Sequence, residues 1–554
     1  MKTDGRLILR RGPTAVDGLP ASLHPVLARV YGARRVAGAH ELDHSLERLL
    51  PPDTLTGLEP AVALLTEALT RGRRILIVAD FDADGATSCA LAVRALAWMG
   101  AADVRYLVPN RFEYGYGLTP EIVALAAKQQ PELIITVDNG ISSVAGVRAA
   151  REHGIAVLVT DHHLPGAELP AAEAIVNPNQ PGDAFPSKHL AGVGVIFYLM
   201  LALRTRLRAG GWFAERNIPE PNLARLLDLV ALGTVADLVP LDHNNRILVA
   251  QGLDRIRRGR CCAGILALLR VAGRLADMSL GIACLLTDDA ATADRLAREL
   301  DALNRERRSI EADMQQQAVA AVNALRLESA ALPRGLCLFD ASWHQGVIGL
   351  VASRLKDRVH RPVIAFAPAS ETELKGSARS VPGLHIRDVL DRIAARHPEI
   401  LNKFGGHAMA AGLTLARRHF EAFARAFDEE VGYCLSEDDL RGRIVTDGEL
   451  APEDLSLELA GLLRDAGPWG QGFPEPLFDG CFEVLNRRVV GERHLKLTLR
   501  PASQARSLDA IAFQAAPNGA APDWARIRAA YRLDVNDYRG LRALQLVIEY
   551  FEPA

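Results

Sequence analysis

Apolar and polar positions alternate in blocks along the first part of the chain. "RILIVAD" (74–80), "VRYLVP" (104–109), "LIITVD" (133–138) and "AVLVTD" (156–161) are short apolar runs of strand length. Between them lie amphipathic stretches: "TSCALAVRALAWMG" (87–100), closed by a glycine, "TPEIVALAAKQQ" (119–130) and "SVAGVRAAREHG" (143–154). In the second of these Thr119 stands at the cap and Pro120 in the first turn, both helix-start signals. Short buried strands alternating with helices predict an α/β domain with a parallel, doubly wound sheet. "LAGVGVIFYLMLAL" (190–203) is shorter than the ~20 residues that cross a bilayer and reads as a buried helix.

The pattern breaks at 204–222. "NLARLLDLVALGTVADLVPL" (222–241) then reads as a helix, a glycine turn and an extended segment. Residues 292–328 form one uninterrupted polar-faced helical pattern, long enough to join two domains. After "LPRG" (332–335) a second, smaller α/β unit follows. Towards the end, "LFDGCFEVLNRRVV", "RHLKLTLR", "YRLDVNDYRG" and "ALQLVIEYF" are short β runs, which suggest an OB-fold-like β barrel. The expected organisation is a Pro/Gly-punctuated segment wrapping another domain (1–52) and a first α/β domain (53–290). A connecting helix (291–330), a second α/β domain (331–435) and the C-terminal barrel (440–554) follow.

Composition narrows the class without deciding it. The 554 residues are 49% hydrophobic and 24% charged, as in a soluble, well-cored protein. The formal net charge of −3 gives no support to nucleic-acid binding and forbids none, because local patches decide it. The seven cysteines, at 89, 261, 262, 284, 337, 434 and 481, include no C-x-x-C pair. That argues against zinc ribbons and a disulfide framework and for a reducing compartment. "MKTDGRLILRRGPT" has no sustained apolar core, so no signal peptide is expected and the protein is placed in the cytoplasm.

The candidate chemistry sits where the strand patterns stop. Asp80 ends one, with Asp82 and Asp84 just beyond; Asp138 ends another; Asp161, His162 and His163 end a third; Asp237 follows a further apolar run. In open α/β sheets ligands bind outside the carboxyl ends of the strands. One aspartate there ordinarily caps a helix; three such ends together point to a shared site. Carboxylates with imidazole and no thiolate suit Mn²⁺, Mg²⁺ or iron better than structural zinc. More carboxylates converge than one divalent ion needs, so two bridged ions are expected, the clamp for in-line attack on phosphorus.

Strand guidance has candidates too. Residues 487–500 carry Arg487, Arg488, Arg493, Lys496 and Arg500 against Glu492, and "DRIRRGR" (254–260) is also basic. "NRFEYGYG" (110–117) interleaves Arg111 with aromatic residues and could guard the site.

"VADFDADGATS", "VDNGIS", "TDHHLPG", "LAGVGVIFYLMLAL" and "LGTVADLVPL" resemble the successive motifs of the DHH phosphoesterases. "SWHQGVIGLVASRLK" (342–356), "KGSARSVPGLHI" (375–386) and "FGGHAMAAGL" (404–413) resemble the DHH-associated domain. With "LLRDAGPWGQGFPEPLFDG" (462–480) leading into the barrel, the full set is similar to the family's bacterial single-strand-specific 5′→3′ exonucleases. The resemblance implies a metal-dependent exonuclease that degrades single-stranded DNA to 5′-mononucleotides in repair and recombination, using two Mn²⁺ or Mg²⁺ ions. It implies Asp138 as the bridging carboxylate, Asp80 on one ion, and Asp82, His162 and Asp237 on the other. Asp84 is counted with the metal carboxylates at the edge of the site, and His163 faces the scissile phosphate. Arg111, Ser377, Arg379, Gly405, Gly406 and His407 are implied to bind substrate. The implied partners are single-stranded DNA, a single-strand-binding protein and a recombination helicase, with the chain a monomer and no membrane involved. Two departures stand out. Val78 occupies a position where many family members have histidine, and the run ending "AGRL" (272–275) is shorter than the family pattern.

Overall fold

The structure is a computed structural model. It describes residues 6–12, 17–109, 114, 117–271, 278–305, 332–401, 403–406, 408–491, 493–501, 506–516, 524–538 and 540–554. The chain forms two compact units: Pro13–Arg305 with Leu457–Pro476, and Met1–Gly12 with Glu306–Ser456 and Leu477–Ala554. Strand β1 (Leu7–Arg10) belongs to the second.

In the first unit β2 (Arg74–Ala79), β3 (Asp103–Leu107), β4 (Leu133–Val137), β5 (Ala156–Thr160) and β6 (Ala174–Val176) form one sheet in the order β3-β2-β4-β5-β6. All its pairings are parallel. β4 is buried throughout because helices cover both faces, and alternate residues of each strand feed different cores. Ile75, Ile77 and Ala79 join the core with the helices Ala83–Trp98 and Gly192–Ala209. Leu76 and Val78 join the other, with the helices Pro120–Ala127 and Val144–Glu152. Gly192–Ala209 is the expected buried helix, and among the described residues no helix is long and apolar enough to cross a membrane.

One expectation is corrected. Gly233 is not a turn: the helix Leu227–Ala236 runs through it, and Asp237 is its C-cap. A Cβ at Gly233 would stand 2.3 Å from Thr87 Oγ1 and 2.8 Å from Asp84 Oδ1. The glycine is there for close helix approach, a tertiary requirement that overrides its local breaker tendency. The connecting helix is seen over 290–305, and the rest of its expected span lies outside the described residues.

In the second unit β7 (Leu336–Phe339), β8 (Val363–Pro368), β9 (Glu373–Arg379), β10 (Lys403–Gly406) and β11 (Ala410–Ala416) are ordered β10-β11-β9-β8-β7. β7–β8 is parallel and the other pairings are antiparallel. β12 (Arg443–Thr446) pairs in parallel with β1. The strands β13 (Phe478–Val490), β14 (His494–Pro501), β15 (Leu508–Ala512), β16 (Arg526–Tyr538) and β17 (Leu541–Pro553) close into the expected barrel. Asp479 at its start is fully buried; it accepts from Arg10 at 2.8 Å and from Thr446 at 2.7 Å, tying β1 and β12 to the barrel.

Candidate metal centre

The sequence-predicted acidic residues of the first unit come together. Asp80, Asp138 and Asp161 each leave the carboxyl end of a strand, and each backbone amide still continues the sheet, bonding to Val137, Thr160 and Val176 carbonyls. Parallel strands therefore deliver their terminal carboxylates to one edge. Ligand atoms of Asp80, Asp82 and Asp138 lie within 4.8 Å of one another, as do those of Asp84, His162 and Asp237, and of Asp138, His162 and His163. His162 Nε2 is 3.1 Å from Asp138 Oδ1, 3.4 Å from Asp237 Oδ2 and 4.0 Å from Asp84 Oδ2.

The backbone is strained to achieve this. Asp138 has φ 62°, in the left-handed region that side chains other than glycine rarely adopt. The N-terminus of the Gly192–Ala209 helix abuts it, and a Cβ on Gly192 would sit 2.7 Å from Asp138 Cβ. Asp84 holds that helix end: its oxygens accept from the amides of Gly192 at 2.6 Å and Val193 at 2.9 Å. Both of its oxygens are thus engaged with backbone, a positioning task the sequence pattern did not separate from ligation.

Electrostatics sets these groups apart from ordinary surface carboxylates. Burial, then the Asp84 charge, pushes Asp138 well above the usual carboxylate range. Burial and the Asp237 charge push Asp84 up to about 8, and burial and Asp82 push Asp237 up to about 6. Burial, seconded by His163, lowers His162 to about 4, so its ring is neutral near pH 7. His163 behaves oppositely: burial would lower it, but the Asp161 hydrogen bond outweighs burial and raises it to about 9. Asp161 Oδ1 accepts from His163 Nδ1 at 2.7 Å and from the His162 and His163 amides, while Oδ2 accepts from the Ile141 amide.

The donor set fits divalent cations. Asp138 Oδ1 and His162 Nε2 are buried and have no hydrogen-bond partner, although they are 3.1 Å apart. A carboxylate oxygen and a neutral imidazole lone pair facing one another repel unless a positive charge sits between them. Oxygen and nitrogen donors without thiolate match Mn²⁺ and Mg²⁺. Val78, at the departure from the family pattern, is packed into the apolar core and supplies no ligand.

The sequence placed Asp161 at the site without a task; that task is to hold His163 Nδ1 at 2.7 Å. It left Asn177 and Asn179 unread; they donate to the carbonyls of His163 and His162. The sequence signal was "VNPNQ" (176–180), an Asn-rich turn immediately after a buried strand.

In the second unit Ser377 and Arg379 lie on β9 beside the N-terminus of the helix Ile348–Val359; a Cβ on Gly349 would be 3.0 Å from Arg379 Nη2. Arg379 is half-buried, donates to Ser377 Oγ and the Ala378 carbonyl, and has no carboxylate partner among the described residues. Gly405 pairs with Gly412 and Gly412 with Ser377, so two glycines on β10 and β11 and the small Ser377 on β9 line up across the sheet. Gly406 has φ 148°, and a Cβ there would stand 2.4 Å from Ala411 Cα and 2.5 Å from the Ala410 carbonyl oxygen. Arg111 and His407 lie outside the described residues. In the barrel, Lys496 pairs with Asp509 at 3.1 Å and Arg500 with Glu483 at 2.9 Å, so part of the basic cluster is neutralised.

Comparison with known proteins follows the same architecture. The DHH family N-terminal domain matches residues 74–234, the DHHA1 domain 330–432 and the RecJ OB domain 446–550. The single-stranded-DNA-specific exonuclease RecJ of Dickeya dadantii (strain 3937) is 54% identical over 572 residues, covering 98% of this chain and 99% of the relative. That of Escherichia coli (strain K12) is 53% identical over 98% of each. The crystal structure of RecJ in complex with Mn²⁺ from Thermus thermophilus superposes with a TM-score of 0.78 at 29% identity, covering 99% of this chain and 80% of that one. The corresponding Mg²⁺ complex gives 0.72 at 28% identity, covering 99% and 79%. The three domains occur here in one chain, and the identity to these relatives exceeds half over nearly its full length: the chain belongs to the family of RecJ, the single-stranded-DNA-specific exonuclease.

Proposed function

We propose that this chain is a two-metal phosphodiesterase that degrades single-stranded DNA from the 5′ end and releases 5′-mononucleotides. The observation that carries this reading is the buried, unpartnered pair Asp138 Oδ1 and His162 Nε2, grouped with Asp80, Asp82 and Asp237. Asp138, common to two of the clusters, would be shared between the ions; Asp80 would hold one, and Asp82, His162 and Asp237 would hold the other. Bound there, Mn²⁺ or Mg²⁺ supplies Lewis-acid activation of water and neutralises charge at phosphorus. Asp84 keeps the Gly192–Ala209 helix against Asp138. His163, held protonated by Asp161, donates to a non-bridging phosphate oxygen. With Val78 aliphatic and buried, it offers no donor, so an ion held by Asp80 would have one protein ligand fewer than where a histidine stands there.

Polarity is assigned to the second unit. A terminal phosphate carries more charge than an internal one, and a guanidinium forks onto it. A half-buried Arg379 without a carboxylate, beside Ser377 and a helix N-terminus, suits that ligand. The glycines at 405 and 412 let the strand's backbone approach. Arg487 and Arg488 on the barrel, with Arg111 and His407, complete the proposed contacts to the strand. The cysteines at all seven positions are free, which suits a reducing cytoplasm.

The test is Asp138→Ala in the full chain, assayed on a 5′-phosphorylated single strand with Mn²⁺ or Mg²⁺ and after chelation. Cleavage should be abolished in the variant and in the chelated wild type, with strand binding retained. Activity within tenfold of wild type would sink the two-metal assignment.

A further inference from the structure

Folding leaves few large apolar side chains exposed, and in the first unit several of them border the metal centre. Among the described residues of that unit they are Leu164, Val235, Leu238, Leu269, Leu303, Leu457 and Leu462. Three of them touch the metal centre in sequence. Leu164 directly follows His163 and is 79% exposed; Leu238 directly follows Asp237 and is 71% exposed; Val235 precedes Asp237 by two residues and is 49% exposed.

Leu238 is also held in an unusual way. It is the residue after the C-cap of the helix Leu227–Ala236, and its φ is 59°. Glycine, or asparagine, is the ordinary choice for a left-handed residue there, because Cβ crowds the backbone. A leucine can be worth that strain if it packs in a core, yet this one is largely in water. Its neighbour in strain is Asp138, the other left-handed residue of the cluster. Strain of this kind persists at sites where the displayed side chain meets a ligand.

We infer that Leu164, Leu238 and Val235 form an apolar rim on which the nucleobases flanking the scissile phosphate pack, and that this rim reads single-strandedness. The inference rests on the exonuclease reading above. Every phosphodiester at the metal centre carries a nucleoside on each side, so bases must lie near the residues that border the ligands. Aliphatic side chains cannot bind phosphate, but they wedge against the faces of unstacked bases, as apolar side chains do where they enter a base step. They offer no donors or acceptors, so every base is accepted alike. In a duplex those faces are covered by stacking, and the rim finds no partner. A stable protein partner on this rim would block the reacting centre, which leaves the substrate as its occupant.

The test uses the full-length protein with Mn²⁺ and two 5′-phosphorylated single strands, one natural and one with abasic residues at its first two positions. Variants are Leu238→Gly and, next to His163, Leu164→Ala. Leu238→Gly should melt no lower than wild type, because glycine relieves the left-handed strain. Each variant should raise KM for the natural strand by on the order of fivefold, the loss of one buried aliphatic contact. On the abasic strand wild type and variants should be alike, because the contact is missing from both. Wild-type KM on the natural strand in both variants overturns the proposal, and so does an equal loss on both strands, which is what a structural role predicts. A wild-type enzyme inert on every single strand overturns the exonuclease reading and the rim with it.

Discussion

Asp138 and Asp479 are both carboxylates that folding removes from water, and they resolve the resulting cost in opposite ways. Asp479, at the start of the barrel, is saturated: Arg10 and Thr446 donate to it, and Arg528 stands 3.5 Å away. Burial works to raise its carboxyl, but Arg10 and Thr446 outweigh burial and hold it below the ordinary value. Asp138 has an oxygen with no hydrogen-bond partner, a neutral imidazole 3.1 Å away and further carboxylates around it. A buried charge with all its partners is a fastening. A buried carboxyl left without a donor among like groups holds its proton more tightly, and only a nearby positive charge would favour its ionised form. The same side chain at nearly the same exposure is saturated with donors in one unit and left with an open acceptor in the other.

Substitution should separate the two kinds of work. Asp138→Asn should lower cleavage on the order of 10³-fold or more, the scale of removing an electrostatic stabiliser at a reacting centre. It should leave the denaturant midpoint unchanged or higher, since a strained, repelled charge is gone. Arg10→Met should do the reverse. It strips a buried carboxylate of its main partner and should cost about 3 kcal/mol in unfolding free energy. Cleavage per folded molecule should persist. If Arg10→Met unfolds no more easily than wild type, Asp479 is not the fastening of the second unit.

Arg379 sharpens the contrast from the cation's side. It is half-buried like a structural arginine but lacks the carboxylate that Arg10 has. Arg379→Ala should slow degradation of 5′-phosphorylated strands about tenfold, roughly the loss of one charge-assisted hydrogen bond, and of 5′-hydroxyl strands much less. Equal slowing of both would make it a general backbone contact. A fourth outcome concerns the barrel, where Lys496 and Arg500 already have carboxylate partners. Arg488→Glu should weaken salt-dependent strand binding more than Lys496→Glu does, because only an unneutralised cation releases counterions on binding phosphate. The same salt slope in both variants would remove the barrel's Arg488 from strand guidance.

What was legible in the sequence follows from how local each signal is. The strand-end carboxylates were readable because a buried strand followed by a polar turn is a local pattern, and D-x-D-x-D, V-D-N-G and D-H-H each carry it. The parallel sheet followed from strand–helix alternation. Gly233 was misread because the reason for it lies in Thr87 and Asp84, more than a hundred residues away. The pairing of β1 with β12 and the membership of Leu457–Pro476 in the first unit join segments separated by hundreds of residues, with no local mark. The neutralisation of Lys496 and Arg500 depends on strand register, which a count of nearby charges leaves out.

The smallest expected effect is the most diagnostic of a bare cluster, and it is a matter of sign. In metal-free protein burial raises Asp84 to about 8 and Asp237 to about 6, with Asp138 also raised. A carboxyl whose folded pKa lies above its unfolded value binds extra protons when folded, so stability falls as pH rises through that window. His163, raised to about 9, acts in the same direction, since its contribution is lost as pH climbs through that value. Asp479 acts the other way: its contribution is present above the ordinary carboxylate value and is lost only in acid, outside this window. A divalent ion supplies the missing charge in place of the protons. The stabilisation on adding Mg²⁺, read as a rise in melting temperature, should therefore be larger at pH 9 than at pH 7; at a hundredfold excess over Kd it amounts to about 2.7 kcal/mol. Asp138→Ala should flatten that difference, and Arg10→Met should not. An equal Mg²⁺ shift at both pH values would mean the carboxylates carry their charge without an ion, and the contrast between Asp138 and Asp479 would have to be given up.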